Sequence, residues 1–269
     1  MTGYWEVCPM VELEHARALL EEMGLNTAAL LLEAHLEQTI HEDLTYVQFL
    51  DHLLTAEQVE RRRKSQETRM KLSRLPHRKQ LEDFDFDFQP SIDRRQIAEL
   101  ANLPFVERAE NVIFLGPPGV GKTHLAVGLA LKALEAGKVV YYTTLSYLIE
   151  DLKKAQSQGR LERRWRVYLR PAVLVIDEVG YSQLNRQEAD LFFRLISERY
   201  EHGSVILTSN KYFGGWGELL SDTVLATALL DRLLHHAHVI NIRGETYRLR
   251  DRLKAGIQTA PPAEISAEP

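Results

Sequence analysis

Gly116-Pro117-Pro118-Gly119-Val120-Gly121-Lys122-Thr123 places glycines, a lysine and a hydroxyl at the spacing G-x-x-x-x-G-K-[ST]. Glycines at this spacing let backbone N–H groups turn inward around a polyphosphate, and a helix opening at the lysine adds a favourable dipole. Lys122 supplies a cation for the β- and γ-phosphates, and Thr123 a hydroxyl ligand for Mg²⁺. His124 closes the run expected to hold the nucleotide, Gly116 to His124. Both flanks fit: Val112-Ile113-Phe114-Leu115 reads as a buried strand, and the apolar-rich stretch after Thr123 reads as a helix. The chain is expected to bind ATP.

A second chemical group lies downstream. Val173-Leu174-Val175-Ile176 is an apolar strand that runs into Asp177 and Glu178. Ligands of open parallel sheets gather at the carboxyl ends of strands, so Asp177 is expected to face the Mg²⁺ held by Thr123. Glu178 is expected to polarise a water for attack on the γ-phosphate, which favours hydrolysis over transfer to a small acceptor. A third run, Val205-Ile206-Leu207-Thr208-Ser209-Asn210, ends in polar residues. Asn210 there can bond the attacking water or the γ-phosphate, or simply serve a turn.

These groups need elements to position them. From Ser91 onward, strands are expected at 112–115, 139–144, 172–177, 204–209 and 238–242. Helices are expected between them at about 122–136, 145–158, 161–169, 186–202 and 222–235. Such alternation specifies an α/β fold, a parallel five-stranded sheet with helices on both faces. Ser91 is expected to cap a helix to about Asn102. The domain is expected to span 91–258, with a disordered tail over 259–269. Residues 1–75 read differently, as a small all-helical module. Its helices run from Val11 to Met23, from Asn26 as a cap to about His41, and onward from a Thr45–Gln48 capping box. Between the two, residues 76–90 form a connector in which Phe84, Phe86 and Phe88 alternate with acids. An edge strand laying its phenylalanines on the next domain is preferred for it over a binding role.

Composition bounds the setting. The chain has 269 residues, a single cysteine and a net charge of −5. One cysteine excludes an internal disulfide framework and suits a reducing cytoplasm. No apolar run is long enough for a membrane span and no export signal is apparent, so a cytoplasmic protein without membrane contact is expected. The acidic average hides two basic clusters. One holds Arg61, Arg62, Arg63 and Lys64, continuing to Lys79 with Glu67 as its one acid. The other holds Lys153, Lys154, Arg163 and Arg164 around Trp165, which itself reads as core. Such clusters attract phosphates by releasing condensed counterions, and both are expected to contact DNA, mainly its backbone. No metal-ligand spacing is evident, and His235 and His236 read as the cationic end of a helix.

GPPGVGKTHLA (116–126), LVIDEVGY (174–181), ERYEHGSVILTSN (198–210), ALLDRLLHHAHVI (228–240) and GETYRLR (244–250) together resemble the IstB family of ATPases, helpers of bacterial insertion-sequence transposition. That family is similar to the DnaC-type helicase loaders within the AAA+ class. The resemblance covers nearly the whole chain, and the FDFDFQP connector and the His-His segment favour the IstB branch. It implies that the Asn210 strand lies between the phosphate-loop strand and the Asp177 strand. It implies that Arg232 is an arginine finger for a neighbouring subunit's ATP and Arg248 a sensor arginine in cis. It further implies ATP-dependent self-assembly, target DNA and the cognate transposase as partners, and a channel-facing helix in the second basic cluster. Too little chain follows Arg248 for a C-terminal helical lid, which makes the N-terminal module the expected partner or DNA contact. A DnaC-type replicative helicase loader is the alternative, and a small-molecule P-loop kinase a more distant one.

Overall fold

The computed structural model describes residues 8–76 and 79–247. It divides into two units at Thr68/Arg69. Among the described residues no helix is long and apolar enough to cross a membrane.

The first unit is helical. Helix α1 spans Cys8–Glu22, α2 Asn26–Glu42, and α3 begins at Tyr46 and runs to Ser73 in the second unit. Its core is small: Ala28, Leu32 and Leu53, with Leu13, Ala16, Leu20, Leu25 and Phe49 packed around them. The Thr45–Gln48 box forms as expected, with Gln48 N–H on Thr45 Oγ1 (3.3 Å) and Thr45 N–H on Gln48 Oε1 (2.8 Å). Asn26 does not cap α2. The buried carboxylate of Glu57, on α3, accepts the N–H groups of Thr27 and Ala28 at 2.8 and 3.0 Å instead. A carboxylate against a helix N-terminus answers both its free donors and its dipole. Those backbone bonds and Arg61 hold the Glu57 carboxyl below the usual range, against the opposing effect of burial, the largest single influence on it.

The second unit is built on strands β1 (Asn111–Leu115), β2 (Val140–Thr144), β3 (Val173–Val179), β4 (Ser204–Ser209) and β5 (Ala237–Asn241). All pairings are parallel and the order is β2-β3-β4-β1-β5, so β4 lies between β1 and β3 as the resemblance implies. The strands are apolar on both sides because both faces are covered. Ile113, Leu115, Leu174, Ile176, Val205 and Leu207 meet α7 (Leu145–Ser157), α8 (Leu161–Leu169), α9 (Arg186–Arg199) and α11 (Thr223–His235) on one face. The alternate residues Val112, Phe114, Val173, Val175 and Ile206 meet α6 (Lys122–Glu135) and α4 (Arg94–Ala101) on the other. Short helices α5 (Pro104–Glu107) and α10 (Trp216–Leu219) complete the set. Trp165 lies in the core, as expected, 2% exposed.

Two local expectations need correction. The cap of α4 is Asp93, whose side chain accepts Arg95 N–H, while Ser91 Oγ accepts Arg243 N–H at 2.9 Å. The phenylalanine connector is not an edge strand. It is a 3₁₀ turn at Leu81–Asp83 followed by turns, with Phe84 buried. Its Asp85 side chain bonds Phe88 N–H at 3.0 Å, a local turn that competes with strand pairing. The disordered tail expected over 259–269 lies outside the described residues.

Candidate nucleotide site at the carboxyl ends of three strands

The phosphate loop joins β1 to α6. Gly119 and Gly121 take left-handed conformations (φ +84° and +101°) that side-chain-bearing residues rarely adopt. Both also have close neighbours. A Cβ on Gly119 would stand 2.0 Å from Thr246 Oγ1, and one on Gly121 2.5 Å from the Phe84 ring. Lys122 is buried at the start of α6, and its Nζ donates to the carbonyls of Gly116 and Pro117, each at 2.7 Å. The cation is thereby held inside the loop, against the positions a polyphosphate would take.

Chain segments distant in sequence brace this loop. Tyr247 N–H donates to Gly119 O at 3.0 Å, and Tyr247 O–H to Asp85 O at 2.6 Å. Phe84 lies edge-on to both His124 and Tyr247. His124 Nε2 sits 2.7 Å from Gln80 O, and burial lowers the pKa of its ring, which favours the neutral imidazole. Arg248 itself lies outside the described residues; its neighbour Tyr247 is the one that holds the loop.

Asp177 lies at the carboxyl end of β3 and is 2% exposed. Three hydroxyls donate to it: Thr123 to Oδ1 at 3.1 Å, Tyr142 to Oδ2 at 2.6 Å, and Thr208 to Oδ1. Thr123 and Asp177, the two residues expected to hold Mg²⁺, thus meet directly. A hydroxyl and a carboxylate are hard oxygen donors, the kind this ion takes, so the pair fits it. Burial, then the Asp177 carboxylate, push the Tyr142 phenol well above its ordinary range, so it stays a donor. Sequence reasoning missed Tyr142 and Thr208. Parallel register brings them in, with Thr144 of β2 opposite Asp177 and Leu207 of β4 opposite Ile176.

The strand does not stop at Asp177. It continues to Val179 through a register shift, with Glu178 at φ +62° and exposed. Beyond β4, the Oδ1 of Asn210 is buried without a hydrogen-bond partner among the described residues. A buried acceptor in that state costs free energy unless something donates to it.

Arg232 lies on α11. Its Nη1 donates to Ala228 O at 2.9 Å, and its guanidinium covers the Phe193 ring at 4.8 Å. Neither contact involves the phosphate loop. Just beyond, ligand atoms of His235, His236 and Glu201 lie within 4.8 Å of one another at the surface. The sequence separation of Glu201 from the histidines hid this neighbourhood.

Most of the basic residues expected to meet DNA already face carboxylates. Arg61 bonds Glu57 and Gly24 O, both at 2.7 Å. Arg63 bonds Glu60 and Glu67, and Lys64 lies 3.7 Å from Glu60. Lys153 pairs with Glu188 at 2.7 Å, and Arg164 with Asp151. Arg62, Lys154 and Arg163 are exposed and carry no ion pair among the described residues. Helical spacing explains the first cluster, since acids three and four residues away share its face.

Comparisons with known proteins agree with this geometry. The model of the family described as IstB-like ATP binding protein matches residues 18–255. A Pseudomonas aeruginosa protein of insertion sequence IS21, named for ATP binding, is 51% identical over 96% of this chain and 96% of its own length. A similarly named Geobacillus stearothermophilus protein of IS5376 is 50% identical over 78% of this chain and 84% of its own. Among solved structures, AMPPCP-bound DnaA from Aquifex aeolicus superposes with a TM-score of 0.53 at 18% identity, over 70% of this chain and 58% of that one. DnaI does so with a TM-score of 0.52 at 22% identity, over 63% and 90%. At these identities the two structures share the fold alone, the AAA+ type of P-loop sheet. Because the family match runs nearly end to end and the IS21 relative shares 51% of aligned residues, the chain belongs to the IstB-like ATP binding protein family.

Proposed function

We propose that this protein is an ATPase that assists insertion-sequence transposition. ATP would join its subunits, the assembly would hold DNA along exposed cations, and hydrolysis would reset it. The cognate transposase is the protein partner. The observation that carries the reading is the meeting of Thr123 with Asp177 beside Glu178 and Asn210, in a chain so similar to a protein of IS21.

The same reading gives each residue a role. Lys122 exchanges the carbonyls of Gly116 and Pro117 for phosphate oxygens. Thr123 and Asp177 would hold Mg²⁺, which when bound neutralises charge on the phosphates. Glu178 takes up proton density from the attacking water, and Asn210, whose Oδ1 has no partner among the described residues, would bond that water or the γ-phosphate. Arg248, which the resemblance names as the sensor arginine in cis, lies outside the described residues. Arg232 serves a neighbour.

The first test is phosphate release from ATP and Mg²⁺, with and without duplex DNA and with no small acceptor present. Release stimulated by DNA is expected; none under any condition overturns the reading. Lys122→Ala should weaken ATP binding roughly 10- to 100-fold, the worth of hydrogen bonds to a charged group, measurable by nucleotide titration. Affinity purification from cells carrying both genes should recover the transposase. Recovery of a replicative helicase in its place would make the protein a loader.

DNA binding should require ATP and fall steeply with salt. Replacing Arg62, Lys154 and Arg163 by alanine should weaken binding equally on two unrelated duplexes. The slope of log affinity against log salt should flatten by about 0.9 for each phosphate no longer neutralised. An unchanged slope would show that these cations are solvated in the complex.

A further inference from the structure

Two residues of β3 occupy the space of one. Ile176 stands opposite Leu207 and Val179 opposite Ser209, so Asp177 and Glu178 together face Thr208 alone. This is a β-bulge, and bulges next to reactive sites re-aim side chains. Here it puts Glu178 in a left-handed conformation, φ +62°, that a glutamate adopts only when its surroundings hold it there. A regular strand would have continued the alternation and sent the Glu178 side chain to the buried face that carries Leu174 and Ile176.

One hydroxyl spans the bulge. Thr208 is 1% exposed, its Oγ1 donates to Asp177 Oδ1, and the same oxygen accepts Glu178 N–H at 3.1 Å. A hydroxyl has one proton to give. Given to Asp177, it leaves the oxygen's lone pairs for Glu178, so the two bonds are compatible and mutually orienting. Asp177 also keeps Thr123 and Tyr142 as donors, whereas Thr208 is the side chain bonded to the backbone of Glu178. We infer that Thr208 is a positioning residue for hydrolysis, fixing the bulge that aims Glu178 at the attacking water. This rests on the reading of Glu178 given under Proposed function, and deepens it.

Valine is the matched substitution, since it trades the hydroxyl for a methyl of similar size. Thr208→Val should bind ATP within about threefold of wild type and assemble on DNA, with kcat reduced roughly 10- to 100-fold, the scale set by misplacing a catalytic group by about an ångström. Thr208→Ser should restore most of kcat. Adding Thr208→Val to Glu178→Gln should cause no further loss, because a positioning residue has nothing left to position. A threonine that merely fills the core would let valine keep close to wild-type kcat, with serine the poorer substitute.

The outcomes separate. If Glu178→Gln turns ATP over at the wild-type rate, the reading of Glu178 fails and this inference with it. If Glu178→Gln is inactive while Thr208→Val hydrolyses normally, Thr208 alone loses its role. Should the valine chain not fold, serine and cysteine decide. Cysteine offers only a weak donor and acceptor, so its kcat should fall below that of serine, and equal values would overturn the inference.

Discussion

An Arg232→Ala chain is expected to bind ATP as tightly as wild type and to hydrolyse it about 10³-fold more slowly. The resemblance to the IstB family implies the role, and the guanidinium rests on the Phe193 ring and the Ala228 carbonyl, with no contact to the phosphate loop among the described residues. The resting contact is weak. A cation–π pair at a partly exposed site is worth about 0.5–1 kcal/mol, whereas a 10³-fold rate effect corresponds to about 4 kcal/mol. Mixing distinguishes this from a role in cis. Arg232→Ala and Glu178→Gln subunits, each inactive alone, should recover turnover together, because an intact Glu178 can meet a neighbour's intact Arg232. No recovery at any ratio, with co-assembly demonstrated, would refute action in trans. Arg232→Lys should rescue poorly, since an ammonium lacks the planar fork that matches phosphate.

The second large effect is expected far from the nucleotide. Arg199→Met should lower stability by more than about 4 kcal/mol, a large part of the roughly 5–15 kcal/mol that holds a domain folded. Arg199 is 2% exposed. Its Nη1 donates to the carbonyls of Tyr168, Leu169 and Pro171 at 2.9, 3.1 and 3.0 Å, and its Nη2 to Ser204 O at 2.8 Å. Burial pulls its pKa down to about 10, which still leaves it charged at neutral pH. Methionine would fill the volume and remove the guanidinium's hydrogen bonds to those carbonyls, each bond to a charged group worth about 1.5–3 kcal/mol. Urea unfolding followed by circular dichroism measures this. A midpoint close to wild type would show that water replaces the guanidinium. Lysine should not substitute, since its three donors on one nitrogen cannot reach carbonyls spread over two chain segments.

What could be read in the sequence depended on how far apart the interacting residues lie. The phosphate loop and the five strands are local patterns, and they stand within a few residues of where periodicity put them. The meeting of Thr123 and Asp177 followed from a general property of parallel sheets. Tyr142 and Thr208 did not, because their positions opposite β3 depend on register, which no local pattern states. The bulge was hidden for a different reason. Val-Ile-Asp-Glu-Val reads as a strand that ends at its acids, when it continues past them with one residue displaced. The connector misled because alternation of Phe and Asp mimics a strand, while each aspartate can also close a turn. Charge runs misled most simply, since Glu57 and Glu60 lie just upstream of the arginines that they neutralise.

The strand order also governs when the site can exist. Strand β1, with all five residues buried in the finished sheet, pairs only with β4 and β5. Both are synthesised after β2 and β3. The nascent chain therefore carries an intact phosphate-loop sequence on an apolar strand with no neighbour on either side. Segments of that kind invite wrong pairing and engage chaperones. A chain halted before Ser204 would hold Lys122, Thr123, Asp177 and Glu178 and still lack the strand that sets them beside one another. Insertion of β4 thus completes the centre of the sheet, and a chain that stops short of Ser204 lacks the strand that lies between the phosphate loop and Asp177.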